Sequence, residues 1–390
     1  MYGRRNWKKE KRKKTIKKIL KILGILLVIA LIITSIILYR ENRDIQNFFD
    51  ENILKKTVTE KELISIEVAS DSNKYICAFS RYIGILNNNT LIAYNTYAKQ
   101  EFSLNINITT PIFSSNGKYL AIAEKNGNKV YLVADKNIVW QNDIEGKIEK
   151  ISVNQNGYIA VSVSQTSYKS IITTYSPEGK ELCKTYLSTT YTADLAISSD
   201  NKFLAIAETN LSGIQIKSGI RIISIENAKA GLEDSTTYKA EVGEDSIITS
   251  ICYDLNNNLM CMLDDKILKI GNGTQKQIIK YNENTLFAEI NLENQIVEVM
   301  NNDDEKLLTK IKVTNTKTEK SREYFINSLP KEIDAKGKIV AINTGTEVYF
   351  INSDGFLHTK YLANQEIKEI VISEQMAGII YKNKIEIIKF

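Results

Sequence analysis

Residues able to do acid–base or metal chemistry are scarce in this 390-residue chain. It contains a single histidine, His358, so any triad or zinc site that uses histidine would have to be built on it. His358 follows the segment DGFL (residues 354–357) on a predicted strand, where a satisfied or exposed histidine is the ordinary case. We therefore predict no catalytic residue and a protein that is not an enzyme.

Residues 254–258 read DLNNN and match the first five positions, D-x-N-x-N, of a calcium-binding loop. The sixth position of such a loop is a glycine, which permits its sharp turn, but here it is Leu259 at the start of an apolar run. A hairpin turn explains the asparagines better. The segment NNDDE (residues 301–305) likewise reads as an acidic solvated loop, which could attract a cation only adventitiously. We predict no metal site.

The glycines do not form a phosphate-binding loop. Gly213 and Gly219 flank Lys217-Ser218, but no helix is predicted after them, as a phosphate loop requires. We interpret residues 211–219 as a long loop between two strands, a place where a partner could bind. With no other cofactor motif in the sequence, we predict no cofactor.

The cysteines offer one candidate disulfide. If Asn256-Asn257 is a two-residue turn, Cys252 faces Cys261 directly, in the closer, non-hydrogen-bonded type of pair that permits a bond. The alternative is that all four cysteines are small buried apolar residues; the other two are Cys77 and Cys183.

Beyond about residue 63 the chain consists of short apolar runs separated by Asn, Asp, Gly and Ser. The clearest unit is residues 112–123, in which an apolar strand meets Asn116-Gly117 and an aromatic–apolar strand returns, a strong hairpin signal. An earlier unit occupies residues 82–94. The unit recurs, with increasing degeneracy, at residues 154–161, 198–207, 254–260, 291–297, 334–341 and 373–380.

These units predict an all-β β-propeller. Their turn centres, at positions 117, 157, 201, 257, 294, 337 and about 376, lie mostly 37–44 residues apart, with one interval of 56, which matches the period of a four-stranded blade. Stacking the sheets in a ring buries faces that one sheet leaves exposed. Eight blades count best; seven remain open if a weak unit is not a blade, and two β-sandwiches are the structural alternative.

Ring closure makes its own prediction. After residues 385–390 the last blade is one strand short, while Leu63–Val68 at the start of the domain has no blade. We predict that Leu63–Val68 supplies the missing outermost strand.

The N-terminus predicts a membrane segment. Residues 22–39 carry no charge and as a helix extend about 27 Å, close to the thickness of the hydrocarbon core. Residues 1–21 contain 11 basic side chains and one acid, so this end should stay in the cytoplasm. A cleaved signal peptide is the alternative, but it would have a shorter apolar core and a small-x-small site, which Leu38–Glu41 lacks.

Charge is distributed unevenly. Residues 1–21 carry +10 and residues 22–390 carry −5, which together give the formal net charge of +5. We expect the basic tail to set topology and touch anionic lipid. Nucleic-acid binding is the alternative, but only Tyr2 and Trp7 could stack on bases, and we predict no nucleic-acid partner.

The predicted organisation has four parts. A cytoplasmic tail (residues 1–21) and a transmembrane helix (22–39) precede a linker (40–62) and an extracytoplasmic propeller (63–390). Apolar residues at helical spacing predict a short amphipathic stalk helix in the linker; they are Ile45, Phe48, Phe49 and Ile53.

Two segments carry a resemblance to known propellers. Residues 114–121 (SSNGKYLA) and 198–205 (SSDNKFLA) resemble the S-x-D-G-K-x-L-A hairpin of WD-repeat and related propellers, and residues 130–140 resemble a blade of quinoprotein-like propellers. The whole layout is similar to an uncharacterised family of membrane-anchored propellers of clostridia-type bacteria. The resemblance implies an extracytoplasmic propeller and transfers no functional residue; the Trp-Asp dipeptide of intracellular WD repeats is missing.

The function that these observations favour is binding or scaffolding at the cell surface, with an envelope protein or wall component as partner. An enzyme of quinoprotein-dehydrogenase type would need regular tryptophan motifs, and residues 63–390 contain only Trp140. An appended hydrolase would need a domain after the propeller, and the chain ends at Phe390. A surface sensor is a variant of the binding module, limited by its short tail.

Overall fold

The computed structural model describes residues 3–41, 43–60, 63–68, 74–232, 235–271, 273–303 and 307–390. The chain divides into two units, Met1–Thr57 and Val58–Phe390.

The N-terminal unit is helical. Helix α1 (Gly3–Glu41) is followed by α2 (Arg43–Phe48) and a π-helical turn (Phe49–Ile53), where the sequence predicts a stalk helix. Within α1, the segment Ile16–Tyr39 includes an 18-residue window with a mean hydropathy of 3.0 and contains the predicted span. Among the described helices only α1 is long and apolar enough to cross a membrane.

The second unit is an eight-bladed propeller, which confirms the predicted fold class and the favoured blade number. Each blade contains four antiparallel strands, which in seven of the eight blades are consecutive in the sequence. The first strands of neighbouring blades contact one another around a complete circle, so they line a central channel. We call the turn between the first and second strands of a blade its first turn. Because strand direction alternates, all first turns lie on one side of the ring, which we call the first-turn face.

The strands of blades 1 to 4 follow the chain in groups of four. In blades 1 and 2 they are β3 (Lys74–Phe79), β4 (Tyr82–Asn87), β5 (Thr90–Tyr94), β6 (Gln100–Asn105), β7 (Pro111–Asn116), β8 (Tyr119–Glu124), β9 (Lys129–Ala134) and β10 (Asn137–Asp143). In blades 3 and 4 they are β11 (Lys147–Val153), β12 (Ile159–Gln165), β13 (Tyr168–Tyr175), β14 (Glu181–Leu187), β15 (Tyr191–Ile197), β16 (Phe203–Asn210), β17 (Lys217–Ser224) and β18 (Thr236–Glu244). A short helix, α3 (Ile225–Lys229), connects β17 to β18 and is capped by the Ser224 side chain.

Blades 5 to 8 complete the ring. In blades 5 and 6 the strands are β19 (Ile248–Tyr253), β20 (Leu259–Leu263), β21 (Lys266–Gly271), β22 (Thr274–Lys280), β23 (Thr285–Leu292), β24 (Gln295–Asn301), β25 (Thr309–Asn315) and β26 (Ser321–Ile326). In blades 7 and 8 they are β27 (Glu332–Lys336), β28 (Ile339–Asn343), β29 (Glu347–Asn352), β30 (Leu357–Leu362), β31 (Glu369–Ile372), β32 (Met376–Ile380) and β33 (Lys384–Lys389).

An N-terminal strand closes the ring, as predicted. Strand β2 (Ile64–Glu67) pairs antiparallel with β33 and becomes the outermost strand of blade 8. The preceding strand, β1 (Thr57–Thr59), joins the outer edge of blade 7 beside β30 and lies in the segment predicted as linker. Strand β2 and the last strand, β33, therefore belong to one sheet, which closes the ring non-covalently.

A buried polar network holds this closure. The Tyr361 and Tyr381 hydroxyls are 2.5 Å apart, and Tyr361 also donates to the Glu386 carboxylate. Lys384 Nζ lies 2.5 Å from Glu386 Oε1 and 3.2 Å from Glu60 Oε2. The tyrosines and Glu386 are almost completely buried, and burial is the largest cause that raises the pKa of both tyrosines. Lys384 thus ties the segment before β2 to blade 8.

The core lies between neighbouring blades. Because each sheet is covered on both faces, its middle strands are apolar at successive positions and do not alternate with polar residues. β28 and β32, for example, are buried at every position. This explains why the sequence shows short continuous apolar runs.

Six of the seven predicted turn centres adopt a positive φ, between 53° and 83°. Glycine and asparagine tolerate this left-handed backbone, so they mark the hairpins. These positions are Gly117, Gly157, Asn201, Asn257, Asn294 and Gly337. The seventh position, Met376, is the first residue of β32, so the first turn of blade 8 lies before Met376.

The predicted pairing of Cys252 with Cys261 is wrong by one residue. Tyr253 pairs with Leu259, Cys252 with Met260, and Ile251 with Cys261. The cause is the Asp254 carboxylate, one oxygen of which accepts the N–H groups of both Asn256 and Asn258 at 2.8 Å and so stabilises a turn with an extra residue.

The shift places the two cysteines on opposite faces of blade 5. Cys261 lies in the core between blades 4 and 5, and Cys252 packs in the core between blades 5 and 6. Both thiols are free, and the candidate disulfide between them is not formed. Burial raises the pKa of Cys261 to about 12 and that of Cys252 further still, so both are protonated at neutral pH.

Candidate functional site

The residues that were candidates for chemistry from the sequence have contacts typical of structural residues. His358 lies on β30, with its ring edge-on to Phe390 at 5.8 Å between centroids. Asp254 caps its own turn and lies 3.7 Å from Lys269 Nζ. The acidic segment 301–305 is described only at 301–303. Across the described residues, no group of three or more His, Cys, Asp or Glu side chains is arranged to hold a metal.

The loop 211–216 connects β16 to β17 in blade 4, on the side opposite the first-turn face. Its apolar tip, Leu211 and Ile214, is exposed, and Gln215 donates to Asp245 at 3.0 Å.

A cavity with a volume of about 160 Å³ lies where the first turns meet, at the centre of the first-turn face. We call it the channel mouth. The first turns of seven blades contribute to its lining, one or more residues from each. In order from blade 2 to blade 8, they include Asn116, Gln155, Ser199, Leu255, Asn294, Gly337 and Glu374.

Two contacts cross the channel mouth where blade 1 contributes no lining residue. Lys336 Nζ, from blade 7, donates to the backbone oxygen of Ser115 in blade 2 at 2.5 Å. The backbone N–H of Gly117 donates to Glu374 Oε1, from blade 8, at 3.3 Å. These contacts join blade 2 directly to blades 7 and 8, so the channel is narrowed by side chains at this end.

Asparagine side chains connect the first turns of blades 3 to 6. Each amide or carbonyl reaches the next turn in the ring, so the wall of the mouth is held in a defined shape. The contacts are Asn156 Nδ2 to Asn201 Oδ1 at 3.0 Å, the Ser199 N–H to Asn257 Oδ1 at 3.1 Å, and Asn256 Nδ2 to Asn294 Oδ1 at 3.2 Å.

Three charged side chains lie on the first strands of blades 6 and 7, and one of them, Lys336, also lines the mouth. We call Glu289, Asp334 and Lys336 the channel cluster. Burial, followed by the neighbouring Glu289 carboxylate, raises the pKa of Asp334 to about 7. Burial also raises the pKa of Glu289, although hydrogen bonds from the N–H groups of Ile290 and Asn291 act in the opposite direction. Burial lowers the pKa of Lys336, although the nearby carboxylates act to raise it.

Sequence reasoning missed the channel cluster. Its members belong to blades 6 and 7, and the mouth assembles residues from seven repeats. The available signal was a charged residue near the end of an otherwise apolar first strand, as in DAKG (residues 334–337). That signal names no partner, because it does not say which residues meet across the ring.

The fold and its site define a class: an all-β, eight-bladed propeller, closed by an N-terminal strand, with a polar cavity where seven first turns meet. The DUF5711 family of unknown function matches residues 54–390, and the chain belongs to that family. No curated protein sequence matches it.

The solved structures that share the fold include the following two. BamB from Moraxella catarrhalis aligns with a TM-score of 0.52 at 11% identity, covering 84% of this chain and 98% of that chain. The C-terminal WD40 domain of Sif2 aligns with a TM-score of 0.57 at 12% identity, covering 84% and 99%. At these identities the similarity concerns the fold alone.

Proposed function

We propose that this protein is a membrane-anchored, extracytoplasmic propeller that binds or scaffolds envelope proteins or wall components through its first-turn face. The observation that carries the proposal is the channel mouth. Seven blades supply its lining, and hydrogen bonds between turns hold its walls. A preformed polar cavity on a rigid ring suits recognition, because little ordering is needed on binding.

Binding suits the site better than catalysis. The Cys252 thiol at the mouth donates to the Ile290 carbonyl oxygen at 3.3 Å, and its raised pKa keeps it protonated and a poor nucleophile. The Lys336 ammonium is engaged with Ser115.

Anchoring rests on helix α1. Its segment Ile16–Tyr39 is long and apolar enough to span, and basic residues precede it. In the proposed arrangement, residues 1–21 lie in the cytoplasm, 22–39 span the membrane, 40–62 form the linker and 63–390 lie outside. Protease added to protoplasts should then digest the propeller and spare the tail; a fully protected propeller would contradict the location.

Site-specific photocrosslinking in cells tests the binding face. A photoreactive residue at Gln155, which is exposed at the mouth, should give discrete crosslinked products. The matched control is Thr166, which is exposed in the turn between β12 and β13 on the other side of blade 3. Equal yields at both positions, or none at Gln155, would refute the first-turn face as the binding surface.

A further inference from the structure

The channel mouth carries more detail than a general binding surface. We propose that it binds a neutral glycan whose sugars carry hydroxyl and acetamido groups, with one sugar residue inserted into the cavity. This inference rests on the proposed function and names the ligand class for the same site.

The first argument is the set of side chains with unused hydrogen-bonding capacity. Asn116, Gln155 and Gln295 line the mouth, and within the described part of the chain their side-chain amides form no hydrogen bond with the protein. Each amide offers two donors and one acceptor oxygen. Lys336 uses one of its three donors, on Ser115. Such a mixture of donors and acceptors matches hydroxyl and acetamido groups, because each of these groups can both donate and accept hydrogen bonds.

The second argument is an apolar surface next to these polar groups. Leu255 at the rim is 57% exposed, and Tyr253 and Ile290 are also among the residues that line the cavity. A sugar ring presents a C–H face and a hydroxylated edge, so it can satisfy both kinds of surface at once.

The charge of the mouth disfavours a polyanionic ligand. The mouth is lined by three carboxylates and one ammonium, a net charge of −2 if all are ionised; they are Asp254, Glu293, Glu374 and Lys336. Like charges at a confined site repel, so a sulfated or phosphorylated polymer is disfavoured and a neutral chain is not.

Size sets how much of the ligand enters. A cavity of about 160 Å³ has room for roughly five water molecules. It is smaller than the sites that enclose a whole drug-sized molecule, at about 300 Å³ or more. We therefore expect one sugar ring to enter while its neighbours lie across the first turns.

The test uses the full chain in nanodiscs and titration calorimetry with N-acetylglucosamine tetramer. We expect saturable binding, weakened at least about tenfold by the Gln155→Leu/Gln295→Leu double variant, since each substitution removes a hydrogen-bonding amide. The matched control is Gln215→Leu, in the exposed loop on the opposite side, which should bind normally. Unchanged melting temperatures exclude misfolding, and Lys336→Met should also weaken binding.

The results that would contradict the glycan inference differ from those that would contradict the proposed function. If the tetramer does not bind, or the double variant binds it normally, the glycan inference fails. Dextran sulfate binding at the mouth as tightly as the tetramer would also overturn it. Should crosslinks to proteins at Gln155 persist in either case, the proposed function stands with a protein as ligand. Loss of both tetramer binding and crosslinks refutes both proposals.

Discussion

The charged side chain of Lys384 links the segment before β2 to blade 8. Its ammonium lies between Glu60, in the turn before β2, and Glu386, on β33. The Glu386 side chain is 3% exposed, against 16% for Glu60. Burial alone would raise the pKa of Glu60, but the Asn364 N–H and the Lys384 ammonium outweigh it and lower that pKa.

We predict that Lys384→Met destabilises the propeller by about 3 kcal/mol, because it leaves the buried Glu386 carboxylate without a counter-charge. This is the lower end of the usual cost of about 3–5 kcal/mol, since Glu60 can turn to solvent. Adding Glu386→Gln to Lys384→Met should recover part of the loss, because no charge then remains buried. With an m-value of about 3 kcal/mol per M, the urea midpoint should fall by about 1 M for the single variant.

The assay is urea unfolding of the full chain in detergent, followed by tryptophan fluorescence. In a Trp7→Phe background the signal comes from Trp140 alone, whose side chain is buried between blades 2 and 3. Lys382→Met is the matched control, because Lys382 is exposed two residues away and should change stability by less than about 0.5 kcal/mol. Equal effects of the two substitutions would refute the role assigned to Lys384.

Three further predictions follow from the channel, the closure and the cysteines. Burial and the neighbouring Glu289 and Glu332 raise the pKa of Asp334, so this carboxyl group holds its proton more tightly in the folded state than in the unfolded state. The free energy of unfolding should therefore fall as the pH rises from about 4 to 7. Asp334→Asn should remove this slope and be more stable at pH 8 by a few kcal/mol, at about 1.4 kcal/mol per pKa unit; an unchanged urea midpoint at pH 8 would contradict the assignment. Deleting residues 61–69 should lower the melting temperature and promote aggregation, because β33 becomes an unpaired edge; a deletion that melts like the intact chain would exclude β2 as the closing strand. Denaturation without reductant should leave Cys252 and Cys261 alkylated by iodoacetamide, and mass spectrometry that finds them joined would contradict the register of blade 5.

Much of the architecture could be predicted because it depends on local, repeated requirements. Every blade needs apolar runs buried on two faces and a left-handed residue at most first turns, and both leave marks that recur about every 40 residues. Ring closure was also predictable, since a final blade one strand short needs a strand from elsewhere, and Leu63–Val68 was unassigned.

The register of blade 5 was not predictable from the Asn-Asn pair. The Asp254 side chain, by accepting two backbone N–H groups, set the length of that turn and moved Cys252 away from Cys261. Local side-chain bonding outweighed the dipeptide signal there, and a shift of one residue exchanges the two faces of a strand.

The amino-acid sequence by itself determined the apolar helix, the all-β repeat and its eight blades, because each depends on composition and short-range periodicity. Only the tertiary structure decided the candidate site. Lys336 and the Ser115 carbonyl it contacts are 221 residues apart, and the channel mouth draws on seven blades. The physical reason is that closing the ring brings together residues whose local sequences carry no information about one another.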